Sequence, residues 1–148
     1  MTLSAYDRFG FSFVTLAHHW RREIERELSK LGFTDATWRP LIHLSEGGDG
    51  ITQSELALRL GLDGSSLVRL IDLLEARGLI ERRVDVMDRR ARLIDLTEAG
   101  RAEVAKIRAR ILPVERNLLK GLPEAEVQSM LAAFEGIAAR LREGGETE

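Results

Sequence analysis

Apolar residues recur at intervals of three and four along most of this chain, and that spacing is broken once, between Leu79 and Leu96. It predicts helices on both sides of one short hairpin. Phe9, Phe13, Leu16, Ala17, Trp20, Ile24, Leu28 and Leu31 mark a first helix from Asp7 to Leu31. Arg21, Arg22, Glu23, Glu25, Arg26 and Glu27 fill its other face, and Gly32 is its stop. Met1 to Tyr6 are expected to be loose. Thr34-Asp35 opens a second helix with Trp38, Leu41, Ile42 and Leu44 on its apolar side. Pro40 falls in its first two turns, where proline is better tolerated than in mid-helix. Gly47-Gly48-Asp49-Gly50 reads as a flexible turn.

The stretch from Thr52 to Gly100 organises the rest. Thr52-Gln53-Ser54-Glu55 has the form of a capping box. The helix it opens carries Leu56, Ala57, Leu60 and Leu62 inward and ends at Gly61. Asp63 suits the next N-cap, and Leu67, Leu70, Ile71 and Leu74 follow at helical spacing. Two helices joined by a short turn containing glycine are the sequence form of a helix-turn-helix. Gly78 ends the second helix. Leu79–Val84 and Arg92–Leu96 read as paired strands, with Asp85–Ala91 as the loop between them.

Charge changes this picture locally. The whole chain stands at −2, yet residues 77–92 hold six arginines (77, 82, 83, 89, 90, 92) against three acids (81, 85, 88). A basic hairpin beside a helix-turn-helix suits phosphate and minor-groove contacts. Ser65, Ser66 and Arg69 lie in the first turns of the second helix, the part that meets base edges when such a helix enters the major groove. Arg69 suits guanine O6 and N7. The plainer alternative is that Ser65 and Ser66 only cap, that Arg69 pairs with Asp72 or Glu75, and that the hairpin is a solvated surface.

Asp88-Arg89-Arg90-Ala91-Arg92-Leu93-Ile94-Asp95-Leu96-Thr97-Glu98-Ala99-Gly100 resembles the wing signature of the MarR family of bacterial transcription regulators. Ser66-Leu67-Val68-Arg69 and Leu73–Ile80 resemble that family's recognition helix and its exit. The resemblance runs from about Phe9 to Leu141. It implies a mainly α fold with a small β-wing: a winged helix-turn-helix flanked by N- and C-terminal dimerisation helices. It implies that Arg90 is the wing-tip arginine in the minor groove, with Arg89 beside it, and that Asp88 orients arginines in and near the wing. It implies that Ser65, Ser66 and Arg69 are the recognition-helix contacts.

After the hairpin, Thr97 caps a helix running through Val104, Ile107, Arg108 and Ile111 to about Lys120. Pro113 lies well inside it and should kink it or interrupt its bonding. Pro123 suits the start of a last helix carrying Val127, Met130, Leu131, Phe134, Ile137, Ala138 and Leu141. Gly144 to Glu148 should fray. The expected division is residues 1–33 and 101–148 for dimerisation, flanking a DNA-binding domain at 34–100. The amphipathic end helices carry more apolar surface than one central domain covers, so a homodimer about a two-fold axis is the economical expectation. Closure of a monomeric core is the alternative.

At 148 residues, 44% of them apolar, the chain suits one domain with helical extensions. No apolar run approaches a membrane span and no secretory leader pattern is visible, so a cytoplasmic protein without membrane contact is expected. With no cysteine there is no disulfide, cysteine-based zinc site or thiol switch. No phosphate loop, nucleophile motif or cofactor signature points to an enzyme. His18, His19 and His43 lack a metal-ligand spacing. Trp20 and Trp38 lie near His18, Arg21, Arg39 and His43 in sequence, and an aromatic wall with an arginine suits an aromatic carboxylate. Trp20-Arg21, the Thr34–Trp38 spacing, Ser66–Arg69 and Asp88–Ala91 resemble the SlyA branch of the family. By resemblance His18, Arg21 and Trp38 line a pocket whose ligand weakens DNA binding, although His18 stands where that branch has arginine. Alternatively the tryptophans are core residues and Arg21 pairs with Glu25. The whole reads as a dimeric regulator of double-stranded DNA. A winged-helix module that binds protein, or DNA without sequence preference, is the alternative.

Overall fold

The computed structural model describes residues 2–48 and 50–145, and Met1, Asp49 and residues 146–148 lie outside it. Six helices and three strands follow in the order α1 (Ala5–Ser29), α2 (Asp35–Gly47), β1 (Ile51–Thr52), α3 (Gln53–Leu60), α4 (Gly64–Ala76), β2 (Ile80–Val84), β3 (Arg92–Leu96), α5 (Glu98–Leu118) and α6 (Glu124–Gly145). The chain divides into two compact units, Met1–Val114 and Glu115–Glu148.

The first helix starts earlier than its apolar spacing suggests. Ser4 caps it: its hydroxyl accepts from Asp7 N–H, and its own N–H donates to the Asp7 carboxylate at 2.9 Å. This reciprocal pair orders residues expected to be loose. At the other end Phe33 N–H returns to Leu28 O at 3.1 Å, with Gly32 at φ 82° supplying the left-handed turn. Pro40 sits inside α2 and Pro113 inside α5. The latter does not end its helix, which continues to Leu118. Gly144 and Gly145 are helical, while the rest of the tail expected to fray lies outside the described residues.

A core forms where the elements of the first unit meet. Leu28, Leu41, Leu56, Leu67, Ile71, Leu74, Ile80, Ile94 and Ile107 are all fully enclosed, one or more from each of α1 to α5 and from β2 and β3. Burying each such side chain contributes roughly 1.5–3 kcal/mol. The helix-turn-helix is held on its inner face by α2 and the small sheet, and its outer face is left to solvent.

The sheet has strand order β1-β3-β2, antiparallel throughout. The hairpin matches the expected strands within one residue. β1 was not foreseen, because a two-residue strand has no period to detect: it exists only through pairing of Ile51 with Ile94 and Thr52 with Leu93. Thr52 also caps α3, accepting from Glu55 N–H at 3.1 Å. The other half of the expected capping box is replaced, since the Glu55 carboxylate accepts from Arg59 one turn on.

The end of α4, the start of β2 and the start of α5 join at one point. Thr97 N–H donates to Leu79 O at 3.1 Å, and the Thr97 hydroxyl donates to Gly78 O at 2.6 Å while accepting from Gly100 N–H at 3.0 Å. A Cβ on Gly100 would lie 2.0 Å from Leu79 O. The Leu-Thr-x-x-Gly pattern is thus a packing requirement: threonine bonds both neighbours, and glycine lets a helix approach a carbonyl. Gly100→Ala is expected to cost about 1–3 kcal/mol, the usual penalty of overpacking. Denaturant unfolding measures it, and an unchanged midpoint would contradict the close approach.

Candidate nucleic-acid interface

The geometry of the outward face begins at the turn between α3 and α4. Gly61 adopts φ 65°, ψ 31°, and Leu62 N–H donates to Ala57 O at 3.0 Å, which closes α3 and turns the chain. Asp63 then restarts it. Its carboxylate accepts from Ser66 N–H at 2.7 Å, from the Ser65 hydroxyl at 2.7 Å and from the Ser66 hydroxyl at 3.1 Å. The Ser66 amide, then the two hydroxyls, hold the Asp63 carboxyl below its ordinary range, so it stays ionised.

Asp63 is therefore the cap, and Ser65 and Ser66 brace its carboxylate with their hydroxyls. Their hydroxyl hydrogens are committed, and their oxygens remain exposed as acceptors. The N-terminal amide of Ser66 is committed as well, so this helix end is not an open phosphate site. An acceptor-rich edge of this kind suits amino groups of cytosine or adenine in a major groove.

One turn on, Arg69 is exposed, and its guanidinium has no ion-pair or hydrogen-bond partner among the described residues. It does not pair with Asp72 or Glu75, as the plainer reading of the sequence had it. Those two carboxylates are taken by Arg82 of β2, at 2.6 Å to Asp72 and 3.1 Å to Glu75. Arg83, on the other face of β2, pairs with Asp95 of β3 at 2.6 Å. Two of the six arginines that make residues 77–92 basic are thus spent on internal carboxylates.

The loop Asp85–Ala91 is closed by backbone bonds between Asp85 N–H and Ala91 O and between Ala91 N–H and Asp88 O. The Asp88 carboxylate accepts from the backbone N–H of Arg90 at 3.0 Å, and Asp85 does the same for Met87. Asp88, the residue expected to orient arginines in and near the wing, thus holds the backbone at Arg90, as an aspartate in a tight turn readily does with the amide two residues on. Arg89 and Arg90 project from that tip, exposed and without ion-pair partners among the described residues.

The proposed ligand residues are placed less favourably. Arg21 pairs with Glu25 at 2.9 Å, the alternative weighed above. Trp20 and Trp38 pack against the core, and His18 is exposed. Trp38 Nε1 is buried with no hydrogen-bond partner among the described residues. Burial pushes His43 below its ordinary value, and the Arg39 and Arg59 charges push the same way against Glu46. A polar cavity of about 430 Å³ lies elsewhere, at the wing root among Glu81, Arg83, Asp95, Thr97, Glu98 and Arg101. No cluster of His, Asp or Glu among the described residues has a metal-binding arrangement. No helix there is long and apolar enough to cross a membrane.

The MarR family sequence pattern matches residues 31–91. The transcriptional regulator PA3341 is 37% identical over 91% of this chain and 98% of its own, with a TM-score of 0.78. CouR from Rhodococcus jostii RHA1, solved bound to p-coumaroyl-CoA, is 30% identical over 93% of this chain and 96% of its own, with a TM-score of 0.73. A mutant of S. aureus MepR, solved bound to an oligodeoxyribonucleotide, is 28% identical over 90% of this chain and 97% of its own, with a TM-score of 0.57.

Asp63→Ala should lower the unfolding midpoint at neutral pH, because three hydrogen bonds at the start of α4 are lost. The folded-state pKa of Asp63 lies below its unfolded value of about 3.9, so its contribution is present above that value and fades as pH falls through the folded one. The gap between wild type and variant should therefore narrow in acid. A gap that stays constant from pH 7 to pH 3 would show that the carboxylate charge is not what caps the helix.

Proposed function

The chain belongs to the MarR family of DNA-binding transcription regulators, and we propose that it acts as a homodimer on palindromic operators. The observation that carries this reading is the arrangement of uncommitted groups. Arg69 on the recognition helix and Arg89 and Arg90 at the wing tip remain unpaired among the described residues, while the neighbouring Arg82 and Arg83 are consumed internally. In a B-DNA complex α4 would enter the major groove, with Ser65, Ser66 and Arg69 at base edges. The wing tip would place Arg90 in the adjacent minor groove, flanked by Arg89, with Asp88 holding the turn that presents them.

Homodimerisation is supported by the end helices. No residue of α6 is fully buried, and Leu131, Phe134 and Leu141 are open to solvent. In α1 only Ile24 and Leu28 are buried, while Tyr6, Phe9, Phe11, Phe13 and Leu16 are exposed. Apolar surface on this scale marks an interface. We assign residues 1–33 and 101–148 to pairing and 34–100 to DNA binding. A dimer would set two copies of α4 about one helical turn apart, which selects a palindrome. The SlyA-like pairing of Trp20 with Arg21 and the Ser66–Arg69 core favour that branch.

A small aromatic acid is the ligand class we propose for release from DNA, at His18, Arg21 and Trp38. The unpartnered Trp38 Nε1 supports it, since a buried donor without an acceptor is costly and a carboxylate or hydroxyl would satisfy it. Binding there requires Arg21 to exchange Glu25 for the ligand. Release would follow if the ligand bound better to a dimer whose recognition helices are wrongly spaced for DNA, and only to the extent of that preference.

Selection of bound duplexes from a random pool at fixed salt tests the central claim, with an enriched inverted repeat as the expected result. Weak, salt-sensitive binding with no enriched sequence would instead favour an architectural or protein-binding module. Arg90→Ala should weaken binding and lower the salt slope by about one unit if the tip meets phosphate. Arg69→Ala should relax preference at one position of each half-site, at about 1–3 kcal/mol. If both variants match the wild type in affinity and sequence preference, this docking is wrong.

A further inference from the structure

The interaction between Arg82 and α4 has a role that the basic composition of the wing conceals. Arg82 lies on the same side of β2 as Ile80, opposite Ile94 of β3, so its stem leaves the sheet from the core-facing side. Asp72 and Glu75 are three apart on α4 and so share one face of it. The Arg82 guanidinium reaches both. Nη2 donates to Asp72 Oδ1 at 2.6 Å and to Glu75 Oε1 at 3.2 Å, and Nε donates to Glu75 Oε2 at 3.1 Å. The bond to Glu75 is the two-pronged pairing that fixes orientation as well as distance.

We propose that Arg82 is a positioning residue: it locks the recognition helix to the first strand of the wing through Asp72 and Glu75, so that both elements meet DNA in one fixed geometry. This rests on the docking proposed above. Arg82 and Glu75 strengthen each other's charge: the Arg82 hydrogen bonds hold Glu75 below its ordinary value, and Glu75 first, then Asp72, raise Arg82. The Nε and Nη2 groups of Arg82 are taken by the two carboxylates, and turning them to a phosphate would leave those carboxylates facing a polyanion. Arg69, Arg89 and Arg90 face no such requirement.

The clamp and a simple charge effect predict opposite results in one variant. Asp72→Asn with Glu75→Gln removes two negative charges from the recognition helix. Electrostatics alone would tighten DNA binding and steepen its salt dependence. Loss of the clamp should instead weaken it about tenfold, the worth of a good base contact that is no longer aligned. Arg82→Gln should weaken binding similarly with an unchanged salt slope, and Arg82→Lys should restore part of the loss. Combining Arg82→Gln with the double substitution should add little, because the three residues act as a unit.

Amide hydrogen exchange of the free protein gives a readout that needs no DNA. Both clamp variants should exchange faster in Arg82–Ala91 and in the last turn of α4, with the core of α3 and α5 unaffected. Tighter binding by the Asp72/Glu75 variant, a salt slope reduced by about one unit in Arg82→Gln, or unchanged exchange in both variants would overturn the proposal. Failure of the wild type to bind any duplex would count against the docking itself, and the exchange experiment would still decide whether Arg82 fixes the helix to the wing.

Discussion

The carbonyl of Leu79 is the point on which the DNA-facing half of this structure depends. It lies just beyond the end of the recognition helix, and the next helix has to start beside it. Thr97 N–H bonds it, and Gly100 sits against it at a distance no side chain would permit. The Thr97 hydroxyl ties the carbonyl of Gly78 to the first turn of α5. The junction of α4 with β2 and the start of α5, 19 residues further on, are thereby fixed to one another by a few bonds. The hairpin leaves this join with a set direction, and the recognition helix ends at it. Any looseness there would reach both surfaces meant for DNA.

Beyond the join, the arrangement is controlled by how carboxylates divide the arginines. Six arginines in a short stretch look like a uniformly basic wing. Alternation along β2 sends Arg82 toward α4 and Arg83 toward Asp95, and each finds acids in reach. Arg69, Arg77, Arg92 and the two arginines of the tip are left without a carboxylate partner among the described residues. Basicity useful to a polyanion is therefore a residue left after internal pairing. The same sorting explains Asp63: its carboxylate takes the amide and both hydroxyls at the start of α4, and turns a potential phosphate site into an edge of acceptors.

The apolar surface is partitioned in a similar way. The core draws on the central helices and strands, the second half of α1 and the first part of α5. The first half of α1 and all of α6 contribute little to it. A helix whose apolar stripe finds no cover in its own chain needs some other cover, which the proposed dimer would supply at the end helices.

Much of this was legible in the residue order. The six helices, the hairpin, the glycine turn between α3 and α4 and the cap at Asp63 depend on bonds between near neighbours, and near neighbours are what periodicity and capping rules register. The start of α1 was legible too, in Ser4 and Asp7 three apart, though apolar spacing alone passed over it. β1 was not, because two residues become a strand only when Ile94 and Leu93 arrive beside them. Nor was the replacement of half the Thr52–Glu55 box, which depended on Arg59 competing for the same carboxylate. The partners of Arg82, Arg83 and Arg69 were likewise undecided. Arg69 had Asp72 and Glu75 at suitable helical spacing, but Arg82 crosses from another element and takes them. Local sequence determined the helices and the hairpin, since those free energies are set largely within a few residues. Tertiary structure decided which charges are spent and which are left, because that depends on which side chains from remote segments arrive within about 3 Å of the same oxygen.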